Sequence, residues 1–202
     1  MGASPPSIES VCVFCGSSDA AAPALLADAA EFGRVLAAQG RRLIYGGGGV
    51  GLMGACARAA HEGGGDVLGI IPEFLTSRER ALDVVETIVV RSMHERKQIM
   101  FERSDGFVVL PGGIGTLEEI IELLSWRRLD LHRKPVVFYS PDGFWEPLFK
   151  LLEHTVAARL TPPDFMDSWA VASTVDEILP RLDGRLAHGD AEAAAPTTTR
   201  VT

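Results

Sequence analysis

Apolar and polar positions divide the chain into short apolar runs that alternate with longer amphipathic ones. The runs at 11–14, 43–45, 67–71, 84–90, 106–110 and 135–139 are rich in β-branched and aromatic residues and are bounded by Gly, Pro or polar clusters. They are predicted strands, with a shorter extended piece at 169–172. Between them, residues 23–39, 52–61, 92–103, 116–128, 144–160 and 175–182 have helical apolar spacing, as in Leu25, Leu26, Ala29, Phe32 and Leu36 of the first. Ser92-x-x-Glu95 reads as a capping box for the third helix. An uninterrupted apolar run such as 67–71 is expected of a strand covered on both faces. Strands alternating with helices predict an α/β, Rossmann-like doubly wound fold: a mainly parallel sheet, helices on both faces and right-handed crossovers. The place of 84–90 in that sheet stays open.

Composition narrows the picture. The 202 residues suit one domain, expected over 8–186, with residues 1–7 and the Ala/Thr-rich stretch 187–202 expected to be disordered. A formal charge of −8 excludes a sequence-independent nucleic-acid binder, which needs a basic face. No apolar run approaches the ~20 residues that cross a bilayer. Three cysteines make no disulfide framework, and Cys12 and Cys15, three apart on a strand, point to opposite faces and read as buried and inert. The expected location is cytoplasmic, with neither membrane nor nucleic acid as partner.

In sheets of this kind ligands sit at the carboxyl ends of the strands. Three strand ends carry small-residue turns, at 16–18, 46–51 and 112–116, and their convergence points to a nucleotide-sized site. The turn Pro111-Gly112-Gly113-Ile114-Gly115-Thr116 leads straight into a helix, whose first N–H groups lack intrahelical partners and suit an anion. Gly49-Val50-Gly51-Leu52-Met53-Gly54 matches the dinucleotide fingerprint. It lies in the second strand–helix unit, however, and six of the nine residues 46–54 are glycine, so a tight turn with close helix packing is the alternative.

Three charged residues stand out. Arg96 and Lys97 flank a Met93–Met100 line on the third helix; either both snorkel to solvent or Arg96 offers a rigid fork to a phosphate or carboxylate. With Leu117, Ile120, Ile121 and Leu124 as the buried stripe of the fourth helix, Glu119 lies about 150° from its centre at 100° per residue. Thr116-x-x-Glu119 is then either a capping box or the approach of a functional carboxylate.

Met93-His94-Glu95-Arg96-Lys97, followed by Pro111-Gly112-Gly113-Ile114-Gly115-Thr116-Leu117-Glu118-Glu119, resembles the paired signature of the LOG family, the cytokinin riboside 5′-monophosphate phosphoribohydrolases, many of them first labelled lysine decarboxylase-like. The resemblance covers residues 11–160. It implies hydrolysis of the N-glycosidic bond of an adenosine-type 5′-monophosphate, giving free base and ribose 5-phosphate, with no organic cofactor and no metal. Catalytic roles fall on Arg96 and Glu119. Substrate-binding roles fall on Lys97, on Gly112, Gly113, Ile114, Gly115, Thr116, Leu117 and Glu118, on Glu79 and Ser125, and on Ser17 in the first turn. Family members are dimers or larger homo-oligomers, so a homodimer is expected. The chain departs from the pattern where Ser125-Trp126-Arg127-Arg128 follows the signature helix and where Asp19-Ala20-Ala21 replaces a glycine after Ser18. The rival reading is a non-catalytic nucleotide or cofactor carrier on the same fold, which would not need both Arg96 and Glu119. With Lys97, Lys134 and Lys150 its only lysines, the chain has no pyridoxal-site context for lysine decarboxylation.

Overall fold

In the computed structural model, seven strands form one sheet in the order β4-β3-β2-β1-β5-β6-β7, and every neighbouring pair is parallel. The structure describes residues 8–193, with side chains through residue 185. The strands are β1 (Ser10–Phe14), β2 (Arg42–Tyr45), β3 (Val67–Pro72), β4 (Glu86–Val90), β5 (Gly106–Val109), β6 (Val136–Tyr139) and β7 (Ala170–Ala172). The helices are α1 (Pro23–Ala38), α2 (Gly51–Glu62), α3 (Met93–Glu102), α4 (Ile114–Arg128), α5 (Glu146–Ala157) and α6 (Val175–Ala193). The run whose place was open, β4, is an edge strand beside β3.

Period-two alternation along the strands builds two cores. Val11, Val13 and Cys15 face α1, α2 and α6, while Cys12 and Phe14 face α3, α4 and α5. The two cysteines thus point to opposite faces; both are free, and burial raises both thiols well above their ordinary range. Ser92 caps α3 as expected: its hydroxyl accepts from the Glu95 N–H at 3.1 Å, while the Glu95 carboxylate takes the Arg91 N–H at 2.9 Å. At the other end of α3, Lys134 Nζ donates to the carbonyls of Phe101 and Ser104, each at 2.6 Å, where a cation complements the helix dipole.

Two of the boundaries that differ from expectation bear on the site or the tail. The last helix does not stop at Leu182 but runs to Ala193. Residues 1–7 and 194–202, which hold the N-terminal stretch and most of the tail expected to be disordered, lie outside the described residues. The second difference, at the start of α4, decides how Glu119 is read. Among the described residues, no helix is long and apolar enough to cross a membrane.

The chain steps outward from β1 through β2 and β3 to β4, then returns to β5 on the other side of β1. The switch point of the sheet is therefore the cleft between the carboxyl ends of β1 and β5, where open α/β sheets place ligands. Gly16, just beyond β1, donates to Pro111 C=O at 3.0 Å, so the two turns at this point are in direct contact.

Candidate active site at the switch point

Arg96 enters this site from the first turns of α3 and does not snorkel; it is 5 % exposed. Nε donates to Ile70 C=O at 3.1 Å and Nη2 to Gly46 C=O at 3.1 Å, so carbonyls in the second half of β3 and just beyond β2 hold the guanidinium plane. The fit requires glycine at position 46, because a β-carbon there would lie 1.8 Å from Nη2. The third nitrogen, Nη1, lies 3.5 Å from Glu119 Oε1 on α4 and 3.8 Å from Met93 Sδ.

Glu119 is 9 % exposed, and its place on α4 explains why. The helix begins at Ile114 with Gly113 as N-cap and no side-chain cap bond, because residues 114–116 of the turn expected at 112–116 are already helical. Thr116 is thus an interior residue, and Thr116-x-x-Glu119 is not a capping box. The buried face consists of Thr116, Glu119, Ile120, Leu123 and Leu124, with Ile121 40 % exposed. That phase turns the expected stripe by about one residue and brings Glu119 onto its flank, beside Arg96. Burial pushes the Glu119 carboxyl up to about 7, against the lowering pull of Arg96 and with added repulsion from Glu118 and Glu79.

Glu79 completes the charged group. It belongs to the segment after β3, and its Cβ and Oε2 each lie 3.2 Å from where a β-carbon on Gly48 would stand, so the side chain lies over the β2 turn. Oε2 is buried and unpartnered, and burial raises this carboxyl while Arg96 lowers it. Two partly or wholly buried carboxylates thus share the field of one guanidinium.

The turn between β5 and α4 is the anion-facing wall. Gly112 is needed for packing, since a β-carbon there would lie 2.1 Å from Thr116 Oγ1. A β-carbon on Gly113 or Gly115 would meet only open space, and Ile114 is 84 % exposed, so the helix start is accessible. The first helical bond runs from Leu117 N–H to Gly113 C=O at 3.0 Å. The N–H groups of Ile114, Gly115 and Thr116 therefore have no intrahelical acceptor and lie at the positive end of a 15-residue helix.

Other expected residues are placed differently. Lys97 forms ion pairs with Glu118 and, at 2.7 Å, with Glu122, tying α3 to α4 beside the Arg96–Glu119 pair. Leu117 packs against the core on that face. Ser17 is exposed in the β1 turn, its backbone against Gly51. Ser125 is not brought to this group: it is exposed on α4, six residues or about 9 Å of helix beyond Glu119. Sequence reasoning missed the Gly46 and Ile70 carbonyls, which no side-chain pattern reveals.

The fingerprint at 49–54 proves to be a packing device. The N–H groups that open α2 are occupied by the protein itself: Gly51 donates to Asp19 Oδ1 at 3.0 Å, and Leu52 and Met53 donate to Gly16 C=O at 3.0 and 3.3 Å. Gly54 approaches so closely that its β-carbon would lie 2.2 Å from Gly49 O. This helix start has no donors left for a pyrophosphate.

The fold and site together define a Rossmann-like α/β protein with a buried arginine–glutamate pair beside an open helix N-terminus. The family model described as "Possible lysine decarboxylase" matches residues 53–182. Over 174 residues the chain is 42 % identical to the probable cytokinin riboside 5′-monophosphate phosphoribohydrolase LOGL9 of Oryza sativa subsp. japonica, covering 86 % of this chain and 77 % of that protein. It is 38 % identical to the cytokinin riboside 5′-monophosphate phosphoribohydrolase LOG3 of Arabidopsis thaliana, covering 86 % and 81 %. The chain belongs to this LOG family, as its two signatures imply. Among solved structures, a molybdenum cofactor binding protein from Rippkaea orientalis superposes with TM-score 0.64 at 25 % identity, covering 87 % of this chain and 95 % of that one. The molybdenum cofactor carrier protein of Chlamydomonas reinhardtii, at 24 % identity and TM-score 0.67 over 88 % and 98 % of the two chains, shares the fold.

Proposed function

We propose that this protein is an N-glycosidase that hydrolyses adenosine-type nucleoside 5′-monophosphates, the cytokinin riboside monophosphates among them, to free base and ribose 5-phosphate. The observation that carries this reading is the buried Glu119 carboxylate 3.5 Å from the immobilised Arg96, beside the open start of α4. The substrate phosphate binds the N–H groups of Ile114, Gly115 and Thr116, which fixes the ribose over the charged pair. Glu79 Oε2 accepts a bond from a ribose hydroxyl. As the C–N bond breaks, the ribose becomes oxocarbenium-like; ionised Glu119 stabilises that cation and takes a proton from the water that adds to the anomeric carbon. The base leaves with the bonding electron pair and takes a proton from solvent, and Glu119 returns the proton it took from water to solvent, so the sum is substrate plus water to free base plus ribose 5-phosphate. Arg96 holds Glu119 ionised and aimed.

Purified protein incubated with AMP and with N6-isopentenyladenosine 5′-monophosphate should release base and ribose 5-phosphate in equal amounts, read by chromatography, while the phosphate-free nucleosides react far more slowly. Tight binding of the monophosphates without base release would instead establish the carrier reading, which the likeness to molybdenum cofactor binding proteins keeps in view.

We also propose that the working form is a homodimer in the cytoplasm. Supporting it, Ile121, Leu129 and Leu131 are 40, 64 and 67 % exposed on and just after α4, around the exposed Ser125. Such an apolar face suits a second copy, which would bring Ser125 near the partner's site. Light scattering after size-exclusion chromatography should give about twice the chain mass; a monomer at working concentrations would refute this.

A further inference from the structure

The segment that carries Glu79 is held over the site by backbone bonds to the β2 turn and by one side-chain ion pair. After β3 the backbone makes a short 3-10 turn (Glu73–Leu75), and Gly49 N–H donates to both Glu79 C=O and Arg80 C=O, at 2.8 and 2.9 Å. An isolated antiparallel bridge pairs Gly48 with Ala81, and Leu82 N–H reaches Gly47 C=O at 3.3 Å. These bonds seat the segment on the β2 turn. Between Glu79 and Ala81, Arg80 is left-handed, with φ 46°. A non-glycine residue there is under local strain and needs an external hold.

That hold is Asp19. Its Oδ2 pairs with Arg80 Nη2, and its Oδ1 accepts the Gly51 N–H at 3.0 Å. One carboxylate therefore joins the turns after β1, β2 and β3. Its ionised form is favoured first by the Gly51 N–H and further by Arg80, so it carries its charge throughout the neutral range.

We propose that Asp19 is a positioning residue for Glu79: through Arg80 it clamps the segment 73–83 in the closed position in which Glu79 faces Arg96 and Glu119. The inference rests on the reading of Glu79 as a substrate contact. The clamp is exposed, so its expected effect is modest, about three- to fivefold in an equilibrium.

The first test needs no turnover. In hydrogen exchange of the free protein, Asp19→Ala should speed exchange across residues 73–83 about three- to fivefold. Asp19→Asn keeps an acceptor for Gly51 but not the charge for Arg80, so it should match Arg80→Ala. Exchange at wild-type rates in Asp19→Ala, or wild-type behaviour of Asp19→Asn, would leave Asp19 as a cap for α2 and overturn the proposal. In steady-state assays, Asp19→Ala should raise KM about three- to fivefold with kcat within about twofold, and should have no further effect in a Glu79→Gln background. An equal KM penalty in that background would also overturn it. If the protein released no base at all, the proposed activity would fall, and the exchange measurement would still decide the clamp.

Discussion

Glu119→Gln should cut base release by at least about a hundredfold while nucleotide binding changes only a few-fold, because the substitution removes a charge from the reacting centre and leaves the phosphate donors intact. The isosteric amide opens no cavity. No helix cap is lost either, since α4 starts at Ile114 and Glu119 lies inside it. The same residue sets an opposing trend in stability. Its ordinary value of 4.5 is raised to about 7 in the fold, so between those values the folded state binds the proton more tightly than the unfolded chain does. The stability it contributes is fully present below about 4.5 and is lost as pH rises through about 7. Thermal melts of wild type and Glu119→Gln should therefore draw apart in that window, with wild type losing ground as pH rises while its activity increases. A variant with wild-type turnover would return Glu119 to a structural role.

Gly46→Val should be nearly as damaging. A β-carbon at position 46 would lie 1.8 Å from Arg96 Nη2 and 3.2 Å from Met53 Sδ. Gly46 is not among the positive-φ glycines, so the backbone itself accepts a side chain. The guanidinium, at the end of a flexible chain, is what yields. Once displaced, it no longer bonds Gly46 C=O or stands beside Glu119, and the influence that lowers the Glu119 pKa is weakened. Turnover should fall on the order of a hundredfold at neutral pH, with the remaining activity shifted to higher pH. In a background that already has Arg96→Ala, Gly46→Val should add little. Wild-type rates in Gly46→Val would show that the position of Arg96 is not critical.

The parallel sheet and its covering helices were legible because strand and helix periods alternate cleanly along the chain, and the Ser92–Glu95 box marked the start of α3 to the residue. The signatures around Arg96 and Glu119 named the family correctly. What stayed hidden was set by tertiary contact. Arg96 read equally well as a snorkelling cation because its acceptors, the Gly46 and Ile70 carbonyls, leave no trace in side-chain patterning. The phase of α4 was misjudged because Leu117, Ile120, Ile121, Leu123 and Leu124 offer overlapping apolar stripes. Only packing against the sheet selects the one that includes Glu119. The glycines at 113 and 115 masked the first turn of that helix, which kept a capping role for Glu119 open until the fold removed it.

The central claim is that ionised Glu119, buried beside Arg96, does the chemistry. The pH dependence of kcat/KM for a nucleoside 5′-monophosphate tests it most directly. With the carboxyl at about 7, the rate should fall about tenfold from pH 8 to pH 6, bending through an inflection near 7 toward a limb of unit slope below it. The substrate's own second phosphate ionisation, near 6, can by itself add at most about a further factor of two over this range. A profile changing by no more than about twofold across the same range would contradict the account.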